Sequence, residues 1–398
     1  MAIEETGATM SDPTGITILG TAGSVVDSPR LTTAQRLKIA GNNTGNLVFQ
    51  YAVTRLLAPK KTYIPTATMP AFDADAVAGS RYLVFPAANH LRPGADWGNL
   101  NKLLRDVDLP LVILGLGAQA PSSNDPQAID QILKDSQVRM LADIIRERAV
   151  LVTARGAFSA EVCTRLGIET EILGCPSLLI NPDPTLGRQL AKALERLQES
   201  PRSLRVVMTA AAPFEIAKHA MRRDLEARFF QWTVDRDGLY VQQSGGEEIV
   251  ALSAGAHRAD TLQTAQAVRP IIYPEGTSER FIQHINSRHR IFWNAAEWIA
   301  AMRGADIAFG SRLHGNMAAL AAGVPALFVP HDARTEELID TMKLAYLKAT
   351  DVPDSFERTI NQVEFDGEAF DKNRAMLSVR FKQAMARIGV PVNTTGAG

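Results

Sequence analysis

Short apolar runs alternate with amphipathic stretches along most of the chain. Ile16-Thr17-Ile18-Leu19, Arg81 to Pro86, Leu109 to Leu114, Ala149 to Thr153 and Glu171 to Leu173 read as short, mostly buried strands. Residues 44–58 carry Leu47, Val48, Tyr51, Ala52, Leu56 and Leu57 at a helical period. Residues 127–148 do the same with Ile129, Ile132, Leu133, Val138, Leu141 and Ile144. Ala157 to Leu166 is a further helix, with Gly167 as its C-terminal stop. A polar, proline-bearing helical stretch from Asn181 to Arg202 marks a domain boundary. The alternation then resumes, with strands expected at Arg205 to Met208, Leu239 to Gln242, Pro270 to Tyr273, Arg290 to Phe292, Ile307 to Phe309 and Ala326 to Val329. A last helix is expected over residues 366–389.

Buried strands alternating with helices of about 10–15 residues predict parallel sheets with helices on both faces. The expected fold class is therefore α/β, with two Rossmann-like doubly wound domains facing a cleft. The expected division is a flexible tail at 1–15, an N-terminal domain at 16–200, a C-terminal domain at 201–350, and a helical segment with a tail at 351–398. In open α/β sheets ligands sit beyond the carboxyl ends of the strands. The search for chemistry accordingly belongs to the loops that follow strands.

Composition narrows the choice. The chain has 398 residues, with 42 Lys and Arg against 43 Asp and Glu, so it lacks the basic excess of a nucleic-acid binder. Its two cysteines, Cys163 and Cys175, form no ligand-spaced cluster, which excludes a disulfide framework, argues against a structural zinc site, and fits a reduced cytoplasmic setting. The polar start MAIEETGATMSDPTG is no secretory signal, and no apolar run reaches the roughly 20 residues of a membrane span.

Five segments carry candidate chemistry. Gly115-Leu-Gly-Ala-Gln-Ala120 matches a dinucleotide fingerprint in form, but Pro121 to Pro126 denies it the helix that would meet a pyrophosphate. A glycine-rich strand exit lining a cleft is the better reading. Gly310-Ser311-Arg312-Leu313-His314-Gly315-Asn316 joins a strand to a very apolar helix. A cation, an imidazole and free backbone amides there make an anion site, with His314 as an acid or base. The alternative is that Arg312 and His314 only tether the helix. Arg155 has the same strand-exit layout and offers a second positive charge, or else a domain-interface arginine. Gly41-Asn42-Asn43-Thr44-Gly45-Asn46 leads into a helix: Asn43 or Thr44 can be its N-cap, while amides also suit a hydroxyl-rich ligand. His331-Asp332-Ala333-Arg334 follows another strand, and its bland reading is a charged helix start. Glu275, after the expected strand Pro270 to Tyr273, is the carboxylate nominated as a base. His90, His219, His257, His284 and His289 show no partnering pattern.

Taken together, these segments resemble the polysaccharide pyruvyltransferase family. The resemblance rests on Gly41-Asn-Asn-Thr-Gly45-Asn46, Arg155-Gly-Ala-Phe-Ser159, Leu166-Gly167, Leu173-Gly-Cys-Pro-Ser177, and Gly310-Ser-Arg-Leu-His314 with Gly323-Val-Pro325. It spans about residues 16–345. It implies a GT-B-like fold and transfer of the pyruvyl group of phosphoenolpyruvate onto a sugar as a ketal, without metal or further cofactor. It also implies a sugar acceptor, free or lipid-linked, with peripheral membrane association in the second case. The acceptor would be held on the N-terminal side by Asn42, Asn43 and Asn46, with Glu275 and His331 reaching it from the C-terminal domain. The C-terminal domain would hold the donor through Arg312, Ser311, Gly315, Asn316 and Arg334, helped by Arg155, with His314 and Arg312 catalytic. The chain departs from the family pattern at Gly156, where an acidic residue is common, at Cys175 in place of aspartate, and at Arg334 in place of lysine. Two rivals share the fold: a nucleotide-sugar glycosyltransferase of GT-B type, which needs a base and ribose pocket, and a non-catalytic carbohydrate-binding protein.

Overall fold

The computed structural model describes residues 14–65, 77–121, 127–201 and 203–393. Most of the expected N-terminal tail, residues 1–13, and the last five residues lie outside them. Two all-parallel sheets organise the chain. The first contains β1 (Gly15–Leu19), β2 (Lys61–Ile64), β3 (Ser80–Pro86), β4 (Leu111–Leu116), β5 (Ala149–Ala154) and β6 (Glu171–Ile172), in the order β2-β1-β3-β4-β5-β6. The second contains β7 (Val206–Ala210), β8 (Leu239–Gln242), β9 (His289–Arg290), β10 (Ile307–Gly310) and β11 (Ala326–Phe328), in the order β11-β10-β7-β8-β9. The central strands are buried along their length: every residue of β4, β7 and β10 is buried. Helices on both faces of a parallel sheet require such continuous apolar runs.

Strand order reverses direction between β1 and β3 in the first sheet and between β7 and β10 in the second. Crevices open at such switch points. The exits of β3 and β10 thus become the natural walls of a binding cleft. The domains also touch through apolar side chains. One core cluster includes Leu47, Val48 and Phe49 from the first domain and Leu313, Met317 and Ala318 from the second. The C-terminal helix Gly367–Arg387 returns to the first domain, where it packs on helix Leu186–Glu199. Behind it, the Tyr82 hydroxyl donates to Ile388 O at 2.6 Å, and Leu57 pairs with Val392 in an isolated bridge.

Three expectations change. The run Pro270 to Tyr273 is not a strand, because it ends the helix Ala259–Ile272. Ala265, Val268 and Ile272 are buried along one face of that helix, so the helical period outweighs the local β-like composition. The stretch 127–148 is two helices, Ala128–Lys134 and Ser136–Arg148. Asp135 divides them, because its Oδ1 accepts from Gln137 N–H and Val138 N–H and so starts the second helix. β2 was not anticipated: only its last residue is buried, which leaves no apolar run to read.

Candidate active site

A cleft of about 1110 Å³ runs between the carboxyl ends of the two sheets. Its first-domain wall is rich in amides, from Asn42, Asn43, Asn46, Gln50, Asn89 and Gln119, with Arg92 among them. Its second-domain wall carries Arg222, Arg312, Arg334, His219 and His331, with Glu215 and Asp332 as counter-charges. A side chamber of about 460 Å³ shares His219, Arg222 and His331 with the cleft and reaches Ser311 and Glu226.

The asparagine turn is held from both domains. Asn42 has φ +60°, a left-handed conformation that asparagine tolerates better than most residues. Asn43 Oδ1 accepts from Gly45 N–H at 2.9 Å and from Gln243 Nε2 at 3.1 Å, across the domain boundary. Thr44 N–H donates to Gln243 O at 2.8 Å. Asn46 Nδ2 donates to Ala40 O at 3.0 Å. Asn43 therefore does cap-like work, and all three asparagines still face the cleft.

The segment after β10 turns sharply. A Cβ on Gly310 would stand 2.3 Å from Thr209 O, so only glycine lets the strand leave here. Arg312 is the N-cap of helix Leu313–Ala321 and makes no side-chain cap of its own. Its Nη2 donates to Glu215 Oε2 at 2.8 Å. Ser311 Oγ donates to the buried Glu226, which also accepts from Ala211 N–H at 3.2 Å. Burial raises the Glu226 carboxyl above its usual range.

His314 lies at the seam of the domains and is 6% exposed. Its ring centroid is 5.1 Å from that of Phe49, and Nε2 is 3.6 Å from Cys175 Sγ. Ser177 Oγ–H donates to the same sulfur at 3.0 Å. Burial, then the charges of Arg155 and Arg334, push the imidazole well below its ordinary pKa, so it is neutral at physiological pH. Arg312, two residues earlier, acts instead on Arg222, His331 and Glu226.

Arg155 is 1% exposed. Its Nε donates to Gly115 O at 2.9 Å and its Nη2 to Ala87 O at 3.2 Å, while Nη1 has no partner. It sits behind the cleft floor, with its guanidinium carbon 5.7 Å from the Phe49 ring. Arg334 reaches Asp332 Oδ2 at 3.4 Å, and His331 Nε2 is 3.7 Å from the same oxygen. Burial lowers the His331 pKa to about 4 although Asp332 opposes it. Arg312 Nε, Arg334 Nε and His331 Nδ1 are also buried without partners. Buried donors left unpaired are costly. Arg312, Arg334 and His331 line one cleft, which marks it as a place for an anion; Arg155 and His314, both nominated for it, line neither this cleft nor the side chamber.

Several nominated residues fall elsewhere. Glu275 is exposed in the turn after helix Ala259–Ile272 and lines no part of the cleft, because the strand assumed before it is a helix. Asn316 is fully buried and is used up in structure. Its Oδ1 accepts from Thr209 Oγ–H at 2.8 Å, and its Nδ2 donates to Gly310 O and Leu327 O at 3.1 Å. It ties three strands of the second sheet together and does not present a donor to a ligand. Gly315 packs against Thr209, where a Cβ would come within 2.8 Å. Ser311 lines the side chamber and not the main cleft. Sequence reasoning missed Arg92, Arg222, Glu226, Glu337 and the contact between Cys175 and His314. None lies in a strand-to-helix motif except Cys175, whose motif gave no hint of its partner.

Among the described residues, no group of three His, Cys, Asp or Glu side chains is placed to hold a metal ion, and no helix is long and apolar enough to cross a membrane.

Comparison with solved structures gives distant likenesses. The UDP-GlcNAc 2-epimerase of Methanocaldococcus jannaschii aligns with a TM-score of 0.42 at 9% identity, over 92% of this chain and 99% of that one. A UDP-forming α,α-trehalose-phosphate synthase from Burkholderia xenovorans aligns with a TM-score of 0.41 at 10% identity, over 93% and 95%. No curated protein sequence matches the chain. The sequence model of the polysaccharide pyruvyl transferase family matches residues 43–333, from the asparagine turn through Arg155 and the Arg312–His314 segment to the start of the helix after Asp332. With most of its length inside that match, the chain belongs to the polysaccharide pyruvyl transferase family.

Proposed function

We propose that the protein moves the pyruvyl group of phosphoenolpyruvate onto two hydroxyls of a sugar, forming a ketal and releasing phosphate. The observation that carries this reading is a cleft lined by Arg92 from the first domain and by Arg222, Arg312 and Arg334 from the second, with the buried, neutral imidazole of His314 within the field of Arg155 and Arg334. Phosphoenolpyruvate places a carboxylate and a phosphate on one small frame. Several positive charges in a partly dry site suit it, since low dielectric strengthens each contact. The charges of Arg155 and Arg334 act on His314, and Arg312 and Arg222 line the same cleft as Arg334. The amide wall of Asn42, Asn43 and Asn46 offers donors and acceptors to a hydroxyl-rich acceptor.

The reaction adds a proton to the donor methylene, which becomes a methyl group and leaves C2 electrophilic. One sugar hydroxyl forms a C–O bond to C2 and gives up its proton. The C2–O bond to phosphate breaks, and a second hydroxyl closes the ketal, its proton leaving with phosphate. His314 handles these protons. It begins neutral because burial, and after it the charges of Arg155 and Arg334, disfavour its charged form. A multiply anionic donor compensates those arginines, so the imidazole takes up a proton as the donor binds. Binding is then accompanied by proton uptake near neutral pH, which calorimetry in buffers of different ionisation enthalpy measures.

Two buried free thiols support a cytoplasmic setting, and we place the acceptor there, in free or lipid-linked form. The test is phosphate release from phosphoenolpyruvate with a panel of sugar acceptors. His314→Ala loses turnover while donor binding survives, and Arg312→Ala weakens donor binding. Full turnover in the first variant or unchanged affinity in the second would contradict those roles.

A further inference from the structure

Glu337 belongs to no motif, and the chemistry above does not use it. It projects from helix Ala333–Met342 of the second domain and is 6% exposed. Both of its oxygens end on Ser159 of the first domain. Oε2 accepts from Ser159 N–H at 2.8 Å, and Oε1 accepts from the Ser159 hydroxyl. Ser159 is the third residue of helix Ala157–Arg165, whose N-cap, Gly156, has no side chain to offer. The first amides of a helix have no partner within it, and a carboxylate there is favourable. The cap is supplied from the opposite domain.

Gly156 makes room for this. Its φ is −172°, extended backbone that any residue adopts, so the reason for glycine is space. A Cβ there would stand 2.7 Å from Glu337 Cβ and 2.8 Å from Oε2. On its other side the Ser159 hydroxyl oxygen accepts from Ala118 N–H at 2.8 Å. Arg155 threads the same strand-exit loop. Its Nε holds Gly115 O, and its Cδ lies 2.8 Å from where a Cβ on Gly117 would stand. Ala333 N–H adds a second tie across the boundary, to Ala120 O at 3.2 Å. Ser159, the loop 115–120 and Arg155 are thus one connected piece, with Glu337 gripping it from the other domain.

The geometry points to Glu337 as a positioning residue: it caps the first-domain helix behind Arg155 and thereby sets where the Arg155 guanidinium stands relative to His314 and the donor. This inference rests on the phosphoenolpyruvate reading of the cleft. Glu337 itself touches no reacting atom.

The test combines steady-state kinetics with amide exchange on the full chain, for wild type, Glu337→Ala, Glu337→Gln and Gly156→Ala. Misplacement of a binding group by about an ångström costs up to about a hundredfold. Glu337→Ala and Gly156→Ala are expected to raise the KM for phosphoenolpyruvate by about tenfold or more, with a smaller fall in kcat. Their double variant is no worse than the worse single, because both act through one contact. Glu337→Gln keeps an acceptor for Ser159 N–H and returns KM close to wild type. Exchange at the Ser159 amide speeds up in Glu337→Ala and not in Glu337→Gln. If Glu337→Ala does not fold, Gly156→Ala carries the test, since it displaces the carboxylate without removing it. A lowered Tm with KM and kcat at wild-type values would overturn the positioning role. Wild-type protein without any phosphoenolpyruvate turnover would overturn the donor reading and Glu337's role toward the donor. Amide exchange would still report whether the cap forms, so the two failures are distinguishable.

Discussion

Arg155 leaves β5 and Arg312 leaves β10, each just ahead of a helix, and in sequence the two segments look alike. Their surroundings differ. Arg155 is driven inward, onto two carbonyl oxygens of neighbouring strand exits, and is almost fully buried. Arg312 lines the open cleft and pairs with Glu215, a residue more than half exposed at its side chain. Gly117 is part of the reason, since any side chain there would occupy the path of Arg155. The same local motif therefore yields a charge sealed behind the strand exits in one domain and a cleft-lining charge, 13% exposed at its side chain, in the other. The first suits control of the imidazole, and the second suits capture of a ligand.

The largest effect is expected at Arg155. Arg155→Ala strands Gly115 O and Ala87 O and costs about 3 kcal/mol or more in chemical denaturation, with severe loss of turnover. Arg155→Lys restores the charge but not the fork of donors, so it recovers only part of either. Next comes His314→Ala, expected to lower kcat by about 10²–10⁴-fold while the donor still stabilises the protein.

A third effect separates the buried charges from the accessible ones through pH. Burial raises the Glu337 carboxyl to about 7 from its ordinary 4.5, against hydrogen bonds from Ser159 and the charge of Arg155, with Asp332 adding to the rise. Between those values the folded state keeps a proton that the unfolded chain releases, so stability falls as pH rises through this window and stays lower above 7. The deficit reaches up to about 3 kcal/mol. Glu337→Gln removes it. Its Tm relative to wild type therefore climbs between those pH values, and a constant difference would contradict the assignment. Arg312→Ala is expected to weaken donor binding by about tenfold with little change in stability, as fits a cleft-lining side chain. Smallest is Glu215→Gln, which breaks one partly exposed ion pair and shifts stability by less than about 1 kcal/mol.

Much of this was legible in the chain. Central strands such as β4 and β10 announce themselves, because burial on both faces demands unbroken apolar runs. The residues at their exits follow from the rule that ligands gather there, which is why Arg155 and Arg312 could be named; the asparagine turn, which joins two helices, was named for its amides. The direction of each side chain could not. Asn316 stands one turn into the helix that Arg312 starts, yet it bonds three strands, a role fixed by Thr209, 107 residues earlier, and by Leu327, 11 residues later. Glu275 was placed at a strand exit because Pro270-Ile-Ile-Tyr273 is apolar, but a helix face is apolar too. Glu337 gave no signal at all. Its partner Ser159 is 178 residues earlier, and only the meeting of the two domains creates the contact.

The most direct test of the central claim is thermal stabilisation of the wild-type protein by phosphoenolpyruvate, set against a panel of nucleoside diphosphates. A ligand that binds only the folded state, at 100 times its dissociation constant, adds about 2.7 kcal/mol. Pyruvyl transfer predicts a shift with phosphoenolpyruvate that shrinks in Arg312→Ala. A shift with a nucleoside diphosphate and none with phosphoenolpyruvate would contradict it.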